Sequence, residues 1–316
     1  MVSAKINSFM SETIGQTTPN HNKQIHARSQ LPGWTRFFVM SHILQKVAPI
    51  GESRDKELLK SASSYIYENR NGVDLVAHVF FPAGKTVPNR PCVAFFHGGF
   101  WDSAMVTQFV PHCHHFASRG AVSVTFEYRT SSRHQTGPIE AMEDSKSAIE
   151  WLKDNAVLLG INVEKIAFVG AAGGAWLALI LAMRKEKNIT PAITPKALVL
   201  FSALVNTTPK GQLSELFPNP KTAKALSPTS LLRRKLPPML FIHGRSDRVT
   251  PHEEIVSFCR RMKWRRNVCK LSDFIGAEHS FFNFNVHHGN FEMTVAIADQ
   301  FLVECGKILP SPDEEI

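Results

Sequence analysis

The sequence predicts an α/β fold, a doubly wound and mostly parallel sheet with helices on both faces. The apolar run at 92–96 is continuous, as suits a strand buried on both sides, and 122–126 and 197–201 read as further strands. Between such runs lie segments with apolar residues at helical spacing, for example Met142, Ala148, Ile149, Leu152 and Ala156. A chain of 316 residues with 43% hydrophobic content can bury such a core as one domain.

Each element follows in order. Residues 1–60 read as an N-terminal extension and 61–316 as the body. The extension has a polar head and an apolar stretch over 31–50, broken by Pro32 and Pro49, that suits a short amphipathic helix packing on the body or serving a homo-oligomer contact. Strands at 65–69 and 75–81 meet at Asn71-Gly72, a hairpin signal. The runs at 92–96 and 122–126 are the next strands, and 140–159 is a crossover helix. A strand at 165–169, a turn of small residues and a helix over 175–184 come next. Strands at 197–201 and 239–243 flank a polar, proline-bearing insertion at about 204–236, whose length suits a lid or pocket wall. A strand at 270–274 and a closing helix over 291–309 complete the winding.

Composition excludes several classes. No stretch approaches the roughly 20 apolar residues of a membrane span. The N-terminus lacks the apolar core of a secretory signal, so a cytoplasmic location is expected and the Asn188 and Asn206 glycosylation triplets carry no weight. The five cysteines share no metal-ligand spacing and read as reduced thiols. His112, His114 and His115 fit a helix with partly exposed histidines better than a metal site, so no metal or other cofactor is expected. The formal charge is +9, yet the basic groups at Arg233-Arg234-Lys235 and Arg260–Arg266 lack interleaved aromatics, so they read as solvated faces rather than a nucleic-acid platform.

Four segments carry the chemistry, and their order matters more than any one alone. His97-Gly98-Gly99-Phe100-Trp101 follows a central strand, where glycines let backbone N–H groups approach a developing oxyanion. Gly170-Ala171-Ala172-Gly173-Gly174 lies between a strand and a helix, with the glycine pattern of a nucleophile elbow and Ala172 at its centre. Asp247 ends a strand before Pro251, and His279 follows the last strand. Taken singly, an Asp before a proline is a turn former and a lone His is structural. The joint sequence of oxyanion loop, elbow, acid and base is that of a Ser–Asp–His hydrolase.

These residues also carry a resemblance. The stretch from Ser61 to Leu309, about four-fifths of the chain, resembles the acetyl-esterase, feruloyl-esterase and acetyl-xylan-esterase group of the α/β-hydrolase superfamily. The matching pieces are HGGFW at 97–101, EYR at 127–129, GAAGGAWLA at 170–178, PPMLFIHGRSDRVTP at 237–251 and GAEHSFFN at 276–283. The resemblance implies an α/β-hydrolase fold with a lid-like insertion and a small-molecule ester as substrate. It implies Asp247 as acid, His279 as general base and Ala172 in the place of the nucleophilic serine. Gly99, Phe100 and Gly173 would donate backbone N–H groups to the oxyanion, Gly98 would shape that loop, and Phe100 and Trp101 would line the pocket. Kynurenine formamidases are similar and supply the alternative of amide hydrolysis.

Ala172 removes the hydroxyl that an acyl-enzyme needs, a loss on the order of 10⁶ in turnover. A serine replaced so that intact substrate is trapped accounts for this better than a natural binding protein, since a pocket kept only for binding has little need of both Asp247 and His279. Ser103 and Ser280 sit on no elbow and are rejected as substitutes. Trp176 is expected in the core, and Asp144 with Arg129 as a structural pair.

Overall fold

The computed structural model describes residues 52–84, 87–185, 193–305 and 308–309. The apolar stretch over 31–50 and the Asn188 triplet lie outside the described residues.

The body opens with helix α1 (Glu52–Leu59), where the Asp55 carboxylate accepts a 2.7 Å hydrogen bond from Thr107 Oγ1. Strands β1 (Ser63–Arg70) and β2 (Val73–Phe80) form the hairpin, with Asn71 and Gly72 both at positive φ as a tight two-residue turn requires. The chain continues through β3 (Arg90–Phe96), α2 (Val110–Ser118), β4 (Val122–Phe126), the single turn α3 (Ser131–His134) and α4 (Pro138–Asp154). It then runs through β5 (Ile161–Ala171), α5 (Ala172–Met183), β6 (Ala197–Phe201), α6 (Pro220–Ala225) and β7 (Met239–Gly244). Helix α7 (His252–Trp264), β8 (Cys269–Phe274) and α8 (His288–Glu304) complete it.

The strands form one sheet in the order β1-β2-β4-β3-β5-β6-β7-β8. Pairs β1–β2 and β2–β4 are antiparallel, and β4 through β8 run parallel. The expected doubly wound sheet is therefore present, with a two-stranded antiparallel edge. Strand alternation sends Val93, Phe95, Val169, Val199 and Ile242 to the face covered by Phe109, Phe116, Phe301 and Leu302. On the other face Phe241 meets Phe258 of α7 at 5.4 Å between ring centroids.

Some expectations shift. The residues at 204–236 are not one loop: α6 and two 3₁₀ turns, Ser214–Leu216 and Pro228–Ser230, break them up. The Asn219 side chain caps α6 by accepting the Thr222 N–H, which Asn-Pro-x-Thr could have signalled. His114 is exposed and His115 meets Asp299, but His112 is fully buried. It sits among Phe109, Phe201 and Phe291 with neither ring nitrogen bonded, and burial pushes its pKa down to about 3. The helix presents that turn to the aromatic core, so the three histidines do not share one environment. Asp144 is the structural partner expected, taking both Nε and Nη2 of Arg129.

Candidate active site

The carboxyl ends of the parallel strands bring the four segments to one edge of the sheet. Strand β5 turns into α5 at Ala172, whose φ of 50° is a left-handed conformation that alanine adopts only under constraint. The flanking glycines make that turn possible. A Cβ on Gly170 would lie 2.4 Å from the Gly174 carbonyl oxygen, and one on Gly174 would lie 2.1 Å from the oxygens of both Phe96 and His97. Ala172 thus occupies a strained strand-to-helix elbow, 4% exposed, at the amino end of a 12-residue helix.

The loop after β3 lies against this elbow. Gly99, Phe100 and Trp101 all have positive φ, and a Cβ on Gly173 would come within 2.8 Å of Phe100 Cα. The loop is braced from both sides. The Gly98 N–H donates to Gln108 Oε1 at 2.7 Å, so this group is engaged internally, while Gln108 Nε2 donates to Asn283 Oδ1 at 3.0 Å beyond His279. Tyr128 stacks on His97 and its hydroxyl donates to the His97 carbonyl at 2.7 Å. Trp101 packs edge-on against Trp176 and Phe217 and is buried, whereas Phe100 stacks over the His279 ring at 5.4 Å. Trp176 is in the core, its indole N–H donating to the Leu226 carbonyl.

Asp247 and His279 meet across the ends of β7 and β8, with His279 Nδ1 2.8 Å from Asp247 Oδ2. The other carboxylate oxygen accepts the N–H groups of Val249 and Thr250 at 2.8 and 3.0 Å, and Thr250 Oγ1 is 2.9 Å from Oδ2. Burial acts to raise the Asp247 carboxyl, but the charge and hydrogen bond of His279, His243 and the Thr250 N–H outweigh it and hold the pKa at about 2. His243 is depressed chiefly by burial and donates from Nε2 to the Thr250 carbonyl at 2.7 Å, so at neutral pH it braces the turn as an uncharged ring.

Sequence reasoning passed over Ser202, Thr250 and Gln108. The Ser202 hydroxyl donates to the His279 carbonyl at 2.6 Å, fixing that residue's backbone from the end of β6. Thr250 was legible in part, since Asp followed three residues later by Thr is an Asx-type turn pattern. Nothing local marks Ser202 or Gln108, whose partners lie far along the chain.

A family model, BD-FAE, matches residues 78–262, more than half of the chain. The chain belongs to the BD-FAE family. This BD-FAE chain is also similar to Thermogutta terrifontis esterase 2, with 34% identity and a TM-score of 0.74 over 80% of this chain and 97% of that one. Among curated relatives it is similar to Mycobacterium tuberculosis carboxylesterase NlhH (29% identity, 34% of this chain and 34% of NlhH). Esterase LipC of the same organism matches at 24% identity over 62% of this chain and 55% of LipC. The chain therefore spans from about a third to about half of the length of these curated relatives. The fold is that of an α/β-hydrolase esterase.

Proposed function

We propose that the site is a serine carboxylesterase centre for short acyl groups whose nucleophile position holds Ala172, so that the chain binds an ester and does not turn it over through an acyl-enzyme. The observation that carries this reading is the elbow itself: Ala172 sits at φ 50°, a strained conformation with no use in a plain turn, and the adjacent Gly173 packs against Phe100, which stacks on the His279 ring. Asp247, ionised at neutral pH, orients His279 through Nδ1 and leaves Nε2 to exchange a proton with a nucleophile. The N–H groups of Gly99, Phe100 and Gly173 donate to the carbonyl oxygen as it gains charge, and Phe100 walls the bound acyl group beside Trp101. The short-acyl preference draws support from Thermogutta esterase 2, solved with propionate and with butyrate bound. An acetyl ester of a sugar or other small alcohol is the proposed substrate, and the insertion is proposed as its lid.

Ala172→Ser tests this directly. The introduced hydroxyl loses its proton to His279 and attacks the ester carbonyl; the alcohol leaves with that proton, and water then releases the acid. Activity on p-nitrophenyl acetate is expected to rise by several orders of magnitude and to fall with acyl length. Activity that stays at the alanine level would sink the assignment, and preference for N-formylkynurenine would move it to amide hydrolysis. The source gene's codon at 172 separates two histories: serine makes Ala172 a substrate-trapping replacement, and alanine makes the chain a natural ester-binding protein.

A further inference from the structure

The positive charge of this chain is concentrated in one place. Segments 227–239 and 255–272 contain nine of its 36 basic residues and none of its 27 acidic ones, so the rest of the chain is balanced. The fold joins these segments into one surface. Asn267 donates to the Arg233 carbonyl at 2.7 Å and accepts the Leu236 N–H at 3.0 Å, and Arg261 Nη2 donates to the Thr229 carbonyl at 2.8 Å. Arg234, Lys235, Arg260, Lys263 and Arg266 are exposed there. Among the described residues Lys270 alone of the nine meets a carboxylate, that of Glu304 at 3.1 Å.

From this field projects Trp264, 78% exposed, with Arg265 at 5.0 Å over its ring and half-exposed Val268 nearby. Cations in the last turn of α7 complement its helix dipole, which accounts for Arg261 and Lys263. It does not account for the three cations of the 233–235 loop or for an indole left in water. A single-stranded nucleic acid would call for several stacking rings. Phe258 is buried, which leaves Trp264 as the sole exposed aromatic of the two segments.

We infer that this surface docks peripherally on a membrane rich in anionic phospholipid, Trp264 entering the headgroup layer and the cations meeting lipid phosphates and carboxylates. Interfacial tryptophans and clustered basic residues are the two features such a surface selects. The geometry suits that role, because the 233–238 loop precedes β7 and 265–268 precedes β8. The docking surface therefore lies at the amino ends of strands whose carboxyl ends carry Asp247 and His279. The inference stands independently of the esterase reading.

The test is co-sedimentation of the full chain with vesicles of phosphatidylcholine alone or with roughly one-third phosphatidylserine, at about 0.1 M and about 0.5 M salt. Binding is expected only with phosphatidylserine and at the lower salt. Neutralising Arg234, Lys235 and Arg266 together to Gln is expected to lower the partition coefficient on the order of 100-fold, about fivefold per cation. The same charge removed at exposed Lys56, Lys153 and Lys165 is expected to leave most binding intact, and Trp264→Ala to weaken it. Unchanged melting temperatures establish that the variants fold. No binding to phosphatidylserine vesicles at low salt, or equal losses in both triple variants, would overturn the inference. Capture by single-stranded DNA without vesicle binding would likewise replace the membrane with a soluble polyanion.

Discussion

Asp247 is the residue whose surroundings do most to define the site. Its pKa lies below the ordinary 3.8, at about 2, so the ionised form is favoured by folding. The resulting stability is present above about pH 4 and is lost as pH falls towards 2, on the order of 2 kcal/mol. Asp247→Asn is expected to be less stable than the parent at pH 7, with the difference shrinking as acid protonates the parent carboxyl; urea unfolding at several pH values measures it. Gly174→Ala is expected to be worse, because its Cβ would lie 2.1 Å from two carbonyl oxygens, and purification should yield little folded protein. Positions such as these were legible because their chemistry is local: glycines bracketing Ala172, a strand end before Asp247. Ser202 was not legible, since its hydroxyl serves a carbonyl 77 residues away.

Among the elements, the strands read most clearly. The stretches at 122–126 and 197–201 coincide with β4 and β6: the second is apolar throughout, and in the first Ser123 and Thr125 alternate with apolar residues yet are buried with them, as both faces of the sheet are covered. Strand β5 begins earlier than its apolar run, at Ile161, since Glu164 and Lys165 are exposed and interrupt the pattern. Helix α5 starts at Ala172 with no side-chain cap; the elbow sets its first turn, so cap signals could not locate it. The insertion between β6 and β7 was the least legible element, yet it is anchored. Phe217 lies 5.6 Å from Trp176 and 6.0 Å from Trp101, linking the insertion to the 97–101 loop. Phe217→Ala is expected to destabilise the chain by about 3 kcal/mol, read as a lower melting temperature. In the Ala172→Ser background it is expected to raise KM for p-nitrophenyl acetate as the loop bearing Phe100 loosens.

At the scale of the whole molecule, buried neutral histidines set the response to acid. His97 and His112 are both depressed from 6.5 by burial, to about 4 and about 3. Folding favours their uncharged forms, so stability is full above about pH 6.5 and falls as pH drops through the window down to those values. His112→Leu is expected to be as stable as the parent or better at pH 8, since two unbonded ring nitrogens leave the core. Its advantage is expected to grow between pH 6.5 and 4, as guanidinium midpoints would record. The strand order has a further consequence, in time rather than in space. Strand β3 lies between β4 and β5, both of which come later in the chain. During synthesis its apolar run leaves the ribosome first and stays incompletely paired until Ala171, 75 residues beyond Phe96, has been made. At roughly 5–20 residues per second, that exposes an aggregation-prone strand for about 4–15 seconds on every nascent chain, so yield is expected to depend on chaperones far more than the finished fold's stability would suggest.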